Sequence, residues 1–119
     1  MGAIHVTVRL SWPEAQGDYE NLFLVDTGAT DSIVPGSALK ALGFKPHGKM
    51  EYELANGQKI ELEYSGAIID FMGDRTFGRV ILGPDDVEPI LGVTALESVG
   101  IVIDPANRQL KRLPAIPLK

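Results

Sequence analysis

The stretch Phe23-Leu24-Val25-Asp26-Thr27-Gly28-Ala29-Thr30 brings together the residue types that proton-transfer chemistry needs, in an order that a fold can exploit. An apolar run ends in a carboxylate and breaks at once into small residues. Apolar and β-branched residues bounded by Gly read as a buried strand. Asp26 is then a carboxylate that the core delivers to a defined place, where it can act as a general acid or base. Thr27 sets a hydroxyl beside it, and Gly28 permits positive φ or close backbone approach. The plain alternative is a strand running into an Asx-type turn, because Asp and Gly favour turns for local reasons.

Other chemistries find less in the chain. His5 and His47 are too few and too isolated for a metal site, and His5 falls on the polar phase of its strand. Asp85, Asp86 and Glu88 lack the ligand spacing of a calcium loop and read as solvated. There is no Cys, which excludes thiol catalysis, disulfide scaffolds and Cys-zinc sites. No Ser-His-Asp logic, phosphate-binding loop or dinucleotide fingerprint occurs, and no metal or cofactor is expected. Trp12 reads as a plug at the edge of the core.

The elements that must position Asp26 are mostly strands. Ile4, Val6, Val8 and Leu10 alternate with His5, Thr7 and Arg9, the period of a half-buried strand. Gln16-Gly17-Asp18 is a turn, and Tyr19 to Val25 returns as the strand carrying Asp26. Ser32 to Val34 is a short strand, and Ala38 to Leu42 a helical turn or two ending at Gly43. Met50 to Leu54 and Gln58 to Tyr64 flank Ala55-Asn56-Gly57, a hairpin signal. Gly66 to Phe71 and Thr76 to Leu82 flank a second hairpin at Gly73-Asp74. Val87 to Leu91 is a strand, Val93 to Ser98 a short helix, and Ile101 to Ile103 and Gln109 to Leu113 the last strands. Many short strands with Gly and Pro turns indicate an all-β barrel or sandwich.

The chain is 119 residues with 45% hydrophobic content, enough for one domain spanning residues 1–119. A net charge of -5 argues against nucleic acid or an anionic membrane surface as partner. Lys111-Arg112 is the only adjacent basic pair. Met1 to Leu10 holds no leader-like apolar core, and no segment approaches the length of a membrane span. With no cysteine either, the cytoplasm is the expected compartment.

The Asp26-Thr27-Gly28 loop with its apolar lead-in resembles the catalytic loop of the aspartic proteases. A second feature strengthens the resemblance. At Pro89-Ile90-Leu91-Gly92-Val93-Thr94-Ala95 an apolar pair runs into Gly and then a helix-like pattern. In the aspartic proteases such a strand packs across the catalytic loop and a short helix follows. The order of elements is similar to that of the retropepsin-like, single-domain members. The resemblance therefore implies an all-β, retropepsin-like closed barrel with a flap hairpin and one or two short helices. Two departures are visible. Viral members carry an acidic pair after the loop's Ala and an Arg just after the late Gly, where this chain has Thr30-Asp31 and Val93. The tail from Asp104 to Lys119 is also longer than a viral terminus. The chain looks more like a cellular or prokaryotic member.

The same resemblance implies an endopeptidase in which two Asp carboxylates share a proton around one water. The other apolar-Asp steps, Ile69-Asp70 and Ile103-Asp104, lead into Phe71 and Pro105 rather than a small-residue loop. The second carboxylate is therefore expected from a second copy in a C2 homodimer. Asp26 is the expected catalytic residue, supported by Thr27 and Gly28. Ala29, Thr30, Asp31 and Ile90, with Ala55, Asn56 and Gly57 of the flap, are the expected contacts to an extended peptide bound by strand addition. The rival readings are a non-catalytic peptide-binding or dimerisation module with this fold, and a domain whose activity needs flanking segments.

Overall fold

The computed structural model describes residues 3–118. Among them the elements run β1 (His5–Ser11), β2 (Tyr19–Asp26), β3 (Ser32–Pro35), α1 (Gly36–Ala41) and β4 (Gly48–Glu53). There follow β5 (Lys59–Phe71), β6 (Asp74–Gly83), β7 (Ile90–Gly92), α2 (Val93–Ser98), β8 (Ile101–Asp104) and β9 (Gln109–Arg112). Strands pair in the order β1-β2-β7-β3-β6-β5, and β5 pairs back to β1, which closes a barrel and leaves no free edge within it. β4 pairs with β5 at the end of β5 remote from β1, so the two stand off the barrel as a hairpin arm. β8 and β9 form a separate two-stranded sheet. This is the all-β architecture that the retropepsin resemblance implies.

Side-chain alternation explains why the barrel closes as it does. In β1, Val8 and Leu10 are buried while His5, Thr7 and Arg9 are exposed. In β2, Phe23 and Val25 point into the core, and in β3 Ser32 and Val34 do. Leu39 of α1 and Leu96 of α2 belong to the same buried cluster as these strand residues. Each large side chain buried in this way contributes roughly 1.5–3 kcal/mol. α1 stops where the sequence predicts, at Gly43. The Gly43 N–H donates to the Lys40 carbonyl at 3.0 Å and the Phe44 N–H to the Leu39 carbonyl at 3.0 Å. That double bond pattern needs the left-handed φ of 92° that Gly43 adopts without strain.

Several boundaries differ from the sequence reading. The two strands expected on either side of Ser65 are one strand, β5. Gly66 does not interrupt it, and its bare Cα leaves room for the Trp12 ring; a Cβ there would stand 3.1 Å from the indole. Trp12 packs against the core from that position. β4 begins at Gly48 rather than Met50, since Gly48 pairs with Tyr64 and leaves room for its ring. β7 is confined to Ile90–Gly92, with Val87 left in the preceding loop.

The tight two-residue turn that the Asn56-Gly57 pair suggests is found at the other hairpin. At the β4–β5 tip the Gly57 N–H donates to the Leu54 carbonyl at 2.9 Å, and Gly57 alone has positive φ. Asn56 instead uses its side-chain oxygen to accept the Gln58 N–H at 2.8 Å. The β5–β6 hairpin turns one residue earlier than expected, at Met72-Gly73, with φ of 53° and 82°. Two successive positive φ values define the tight turn whose twist suits a two-residue hairpin. Core-facing Ile69 and Phe71 set the register, so the turn falls on a methionine that pays a left-handed penalty of order 1 kcal/mol. Met72→Asn, at an exposed side chain, is expected to raise stability by about 0.5–1 kcal/mol. A urea midpoint below that of the parent would show that the turn is not strained.

Candidate active site

Asp26 is the last residue of β2 and is half-buried. Its backbone and side chain fold the following loop back on themselves. The Gly28 N–H donates to Asp26 Oδ1 at 2.9 Å, and the Ala29 N–H to the Asp26 carbonyl at 3.1 Å. Gly28 serves this site by its size. A Cβ there would lie 3.2 Å from Asp26 Oδ1. Thr27 and Gly28 are exposed, so the loop presents its carboxylate at an open surface.

The floor under the loop is β7. It runs parallel to β2, with Asp26 opposite Gly92, and antiparallel to β3, with Ile33 opposite Ile90. It therefore lies between the two strands that enter and leave the loop. The Val93 N–H donates to the Ala29 carbonyl at 2.8 Å, and the Thr94 N–H to the Thr30 carbonyl at 3.2 Å. The buried Ser32 hydroxyl accepts the Gly92 N–H at 3.0 Å. Gly92 is in such close contact that a Cβ would meet the Asp31 carbonyl carbon at 2.6 Å and the Thr30 oxygen at 2.7 Å. The late apolar-apolar-Gly strand thus braces the catalytic-type loop through its backbone.

Above the loop, Gly28, Ala29, Thr30 and Asp31 border a pocket of about 300 Å³ together with Ile33, Ile81 and the arm residues Tyr52 and Glu53. The arm tip Ala55-Asn56-Gly57 is exposed and lies outside this wall, with nothing within 4 Å of a Cβ on Gly57. Ile90 sits half-buried in the floor and is not brought to the pocket. On the other side of the loop a groove of about 350 Å³ opens beside Thr27, lined by apolar Val93, Leu96, Ile101 and Ile103.

Tyr52 and Arg79 were not singled out by sequence reasoning. The Tyr52 hydroxyl donates to Asp31 Oδ2 at 3.1 Å, and Arg79 Nη1 lies 4.0 Å from the same oxygen. The Arg79 guanidinium stacks over the Tyr64 ring, 4.5 Å from its centroid. Burial pushes the Tyr52 phenol above its ordinary value, and the Asp31 carboxylate adds to the rise while Arg79 opposes it. Tyr52 therefore remains a donor at any working pH. An Arg–Asp pair does flank the loop, although its Arg comes from β6 and not from the position after the late Gly. A signal for Arg79 existed: it is a charged residue inside the apolar run Thr76 to Leu82.

A sequence model of a family described as aspartyl protease matches residues 14–94, about two thirds of the chain. The chain belongs to the aspartyl protease family. No curated protein matches it. The matched segment of this aspartyl protease holds the Asp26 loop, the arm and the β7 floor, and it ends inside α2. The other carboxylates that follow apolar residues are engaged elsewhere. Asp70 accepts the Arg75 guanidinium at 2.8 Å. Asp104 accepts Asn107 Nδ2 and the Ala106 N–H, both at 2.9 Å, and these bonds hold its carboxyl below the usual range.

Proposed function

We propose that the chain is one subunit of a retropepsin-like, homodimeric aspartic endopeptidase, with Asp26 of each subunit forming the catalytic pair. The observation that carries this reading is a single Asp-Thr-Gly loop, braced from below by β7 and open above. A second copy related by a two-fold axis would bring the same loop to the first. Two carboxylates about 3 Å apart cannot both ionise, so the pair holds one proton, the effect for which the aspartic-protease dyad is the standard case. The ionised Asp26 takes a proton from the attacking water while its partner donates to the scissile carbonyl. Thr27 orients the pair, and Gly28 leaves room for substrate backbone. Ala29, Thr30 and Asp31 line the cleft, and the β4–β5 arm is the flap, whose tip Ala55-Asn56-Gly57 closes over an extended peptide. The apolar groove beside Thr27, with the β8–β9 hairpin that borders it, supports an interface built from this longer tail.

The test combines sizing with a pH–rate profile on a peptide library. A dimer is expected, with a bell-shaped rate whose two apparent pKa values belong to the pair. Activity should peak between about pH 4 and 6.5 and fall above neutrality as both carboxylates ionise. It should fall again in acid as both become protonated. A monomer that retains peptides without cutting them would favour the binding-module reading, and a rate that climbs steadily to about pH 9 would point to a different catalytic group.

A further inference from the structure

We propose that Arg79 determines specificity at this site, and this rests on the peptidase reading above. It offsets the charge of Asp31 in the inner wall of the cleft pocket and leaves the exposed Glu53 carboxylate to solvent, so the pocket favours an apolar substrate side chain over Lys and Arg.

Three observations lead there. Asp31 is the acidic wall residue nearest the Asp26 loop, and an acid at a pocket wall would ordinarily select a cationic side chain. Its Oδ2, however, already accepts the Tyr52 hydroxyl at 3.1 Å and faces Arg79 Nη1 at 4.0 Å. The Asp31 side chain is only 15% exposed and that of Arg79 37%, so the carboxylate end of the pairing is sheltered while water partly screens the guanidinium. A substrate ammonium entering the pocket would meet a carboxylate already engaged by the Tyr52 hydroxyl and partly offset by Arg79, with that positive charge behind it.

The second observation is where Arg79 stands. It is absent from the wall of the pocket that Asp31 shares with Tyr52, and it reaches Asp31 from a separate small cleft lined by Phe77, Thr94 and Ser98. Stacking on Tyr64 fixes it there. Its charge is felt in the pocket while its side chain takes up none of the space. The third observation is what remains of the wall. Ile33, Ile81 and the Tyr52 ring offer apolar surface, which an aliphatic or aromatic substrate side chain would cover, while Glu53, the other carboxylate of the wall, is exposed to solvent.

The experiment uses one peptide library, read twice: as cleavage by the active protein, and as retention on immobilised Asp26→Asn protein. The parent should disfavour Lys and Arg at one subsite by tenfold or more relative to Leu or Phe. Arg79→Gln keeps most of the side-chain length and removes the charge. It should raise the Lys-to-Leu ratio of kcat/KM at that subsite about tenfold or more, with the pocket wall unchanged. Arg79→Lys keeps the charge and should retain the parental preference. Asp31→Asn added to Arg79→Gln should abolish the gain, which a general loosening of the fold would not do. An unchanged ratio in Arg79→Gln, or a gain that survives Asp31→Asn, overturns the proposal. Peptides retained but never cut would overturn the peptidase reading alone, with the retained set still deciding the role of Arg79. A protein that neither cuts nor retains any peptide overturns both.

Discussion

Asp26→Asn is expected to reduce peptide cleavage by about 10⁴-fold or more while leaving the fold intact. The amide keeps the shape of the side chain, and its oxygen can still accept the Gly28 N–H that Asp26 Oδ1 accepts at 2.9 Å. What it loses is the ability to take a proton from water. On the dimer reading the variant should also associate more tightly, since an amide pair on the axis carries none of the repulsion of two carboxylates. Cleavage kinetics beside a melting curve and a dissociation measurement test all three statements. Undiminished cleavage by the purified variant would remove Asp26 from the mechanism.

Gly92→Ala is the second change with a large expected effect, and it touches no reacting group. A methyl at this position would stand 2.6 Å from the Asp31 carbonyl carbon and 2.7 Å from the Thr30 oxygen, both backbone atoms that cannot rotate away. The loop would have to move by most of an ångström, or β7 would have to detach from β2 and β3. Either route costs about 3 kcal/mol or more. A displacement of that size at a catalytic loop lowers the rate about a hundredfold. Gly78→Ala is the matching control, because its nearest neighbour would be a side-chain atom 3.8 Å away. Parental activity and melting temperature in Gly92→Ala would mean that β7 does not brace the loop.

Much of this arrangement could be read along the chain, for reasons that differ by element. β1 was legible through its alternation, and β2 through an apolar run that ends at Asp26 and a small-residue loop, signals that need no partner strand. The Asp26 loop and the Ile90-Leu91-Gly92 segment were legible through resemblance. Their pairing is parallel and joins residues far apart in sequence, which periodicity does not report. The placing of the tight turn was not legible. Asn56-Gly57 carries the stronger local preference, yet the tight turn falls on Met72-Gly73, where strand register outweighs it. The Asp31, Tyr52 and Arg79 cluster was hidden for a related reason. Its members come from the loop, β4 and β6, and only the fold brings their charged ends to one oxygen.

β5 joins a projecting arm to a closed barrel. Its first residues, Lys59 to Tyr64, are held by β4 in the projecting arm, and its last, Tyr64 to Phe71, by β6 inside the barrel. One continuous strand therefore belongs to two regions with different costs of local opening. Backbone amides near Lys59 share their protection with an exposed hairpin, while those near Ile69 are tied to the buried core. The change occurs around Tyr64, the one residue of β5 paired to both β4 and β6, whose ring also carries Arg79. Such a strand bends like a beam clamped at one end. Its pivot lies beside the charge cluster that borders the cleft, so movement of the arm and the electrostatics of the pocket share a single fulcrum.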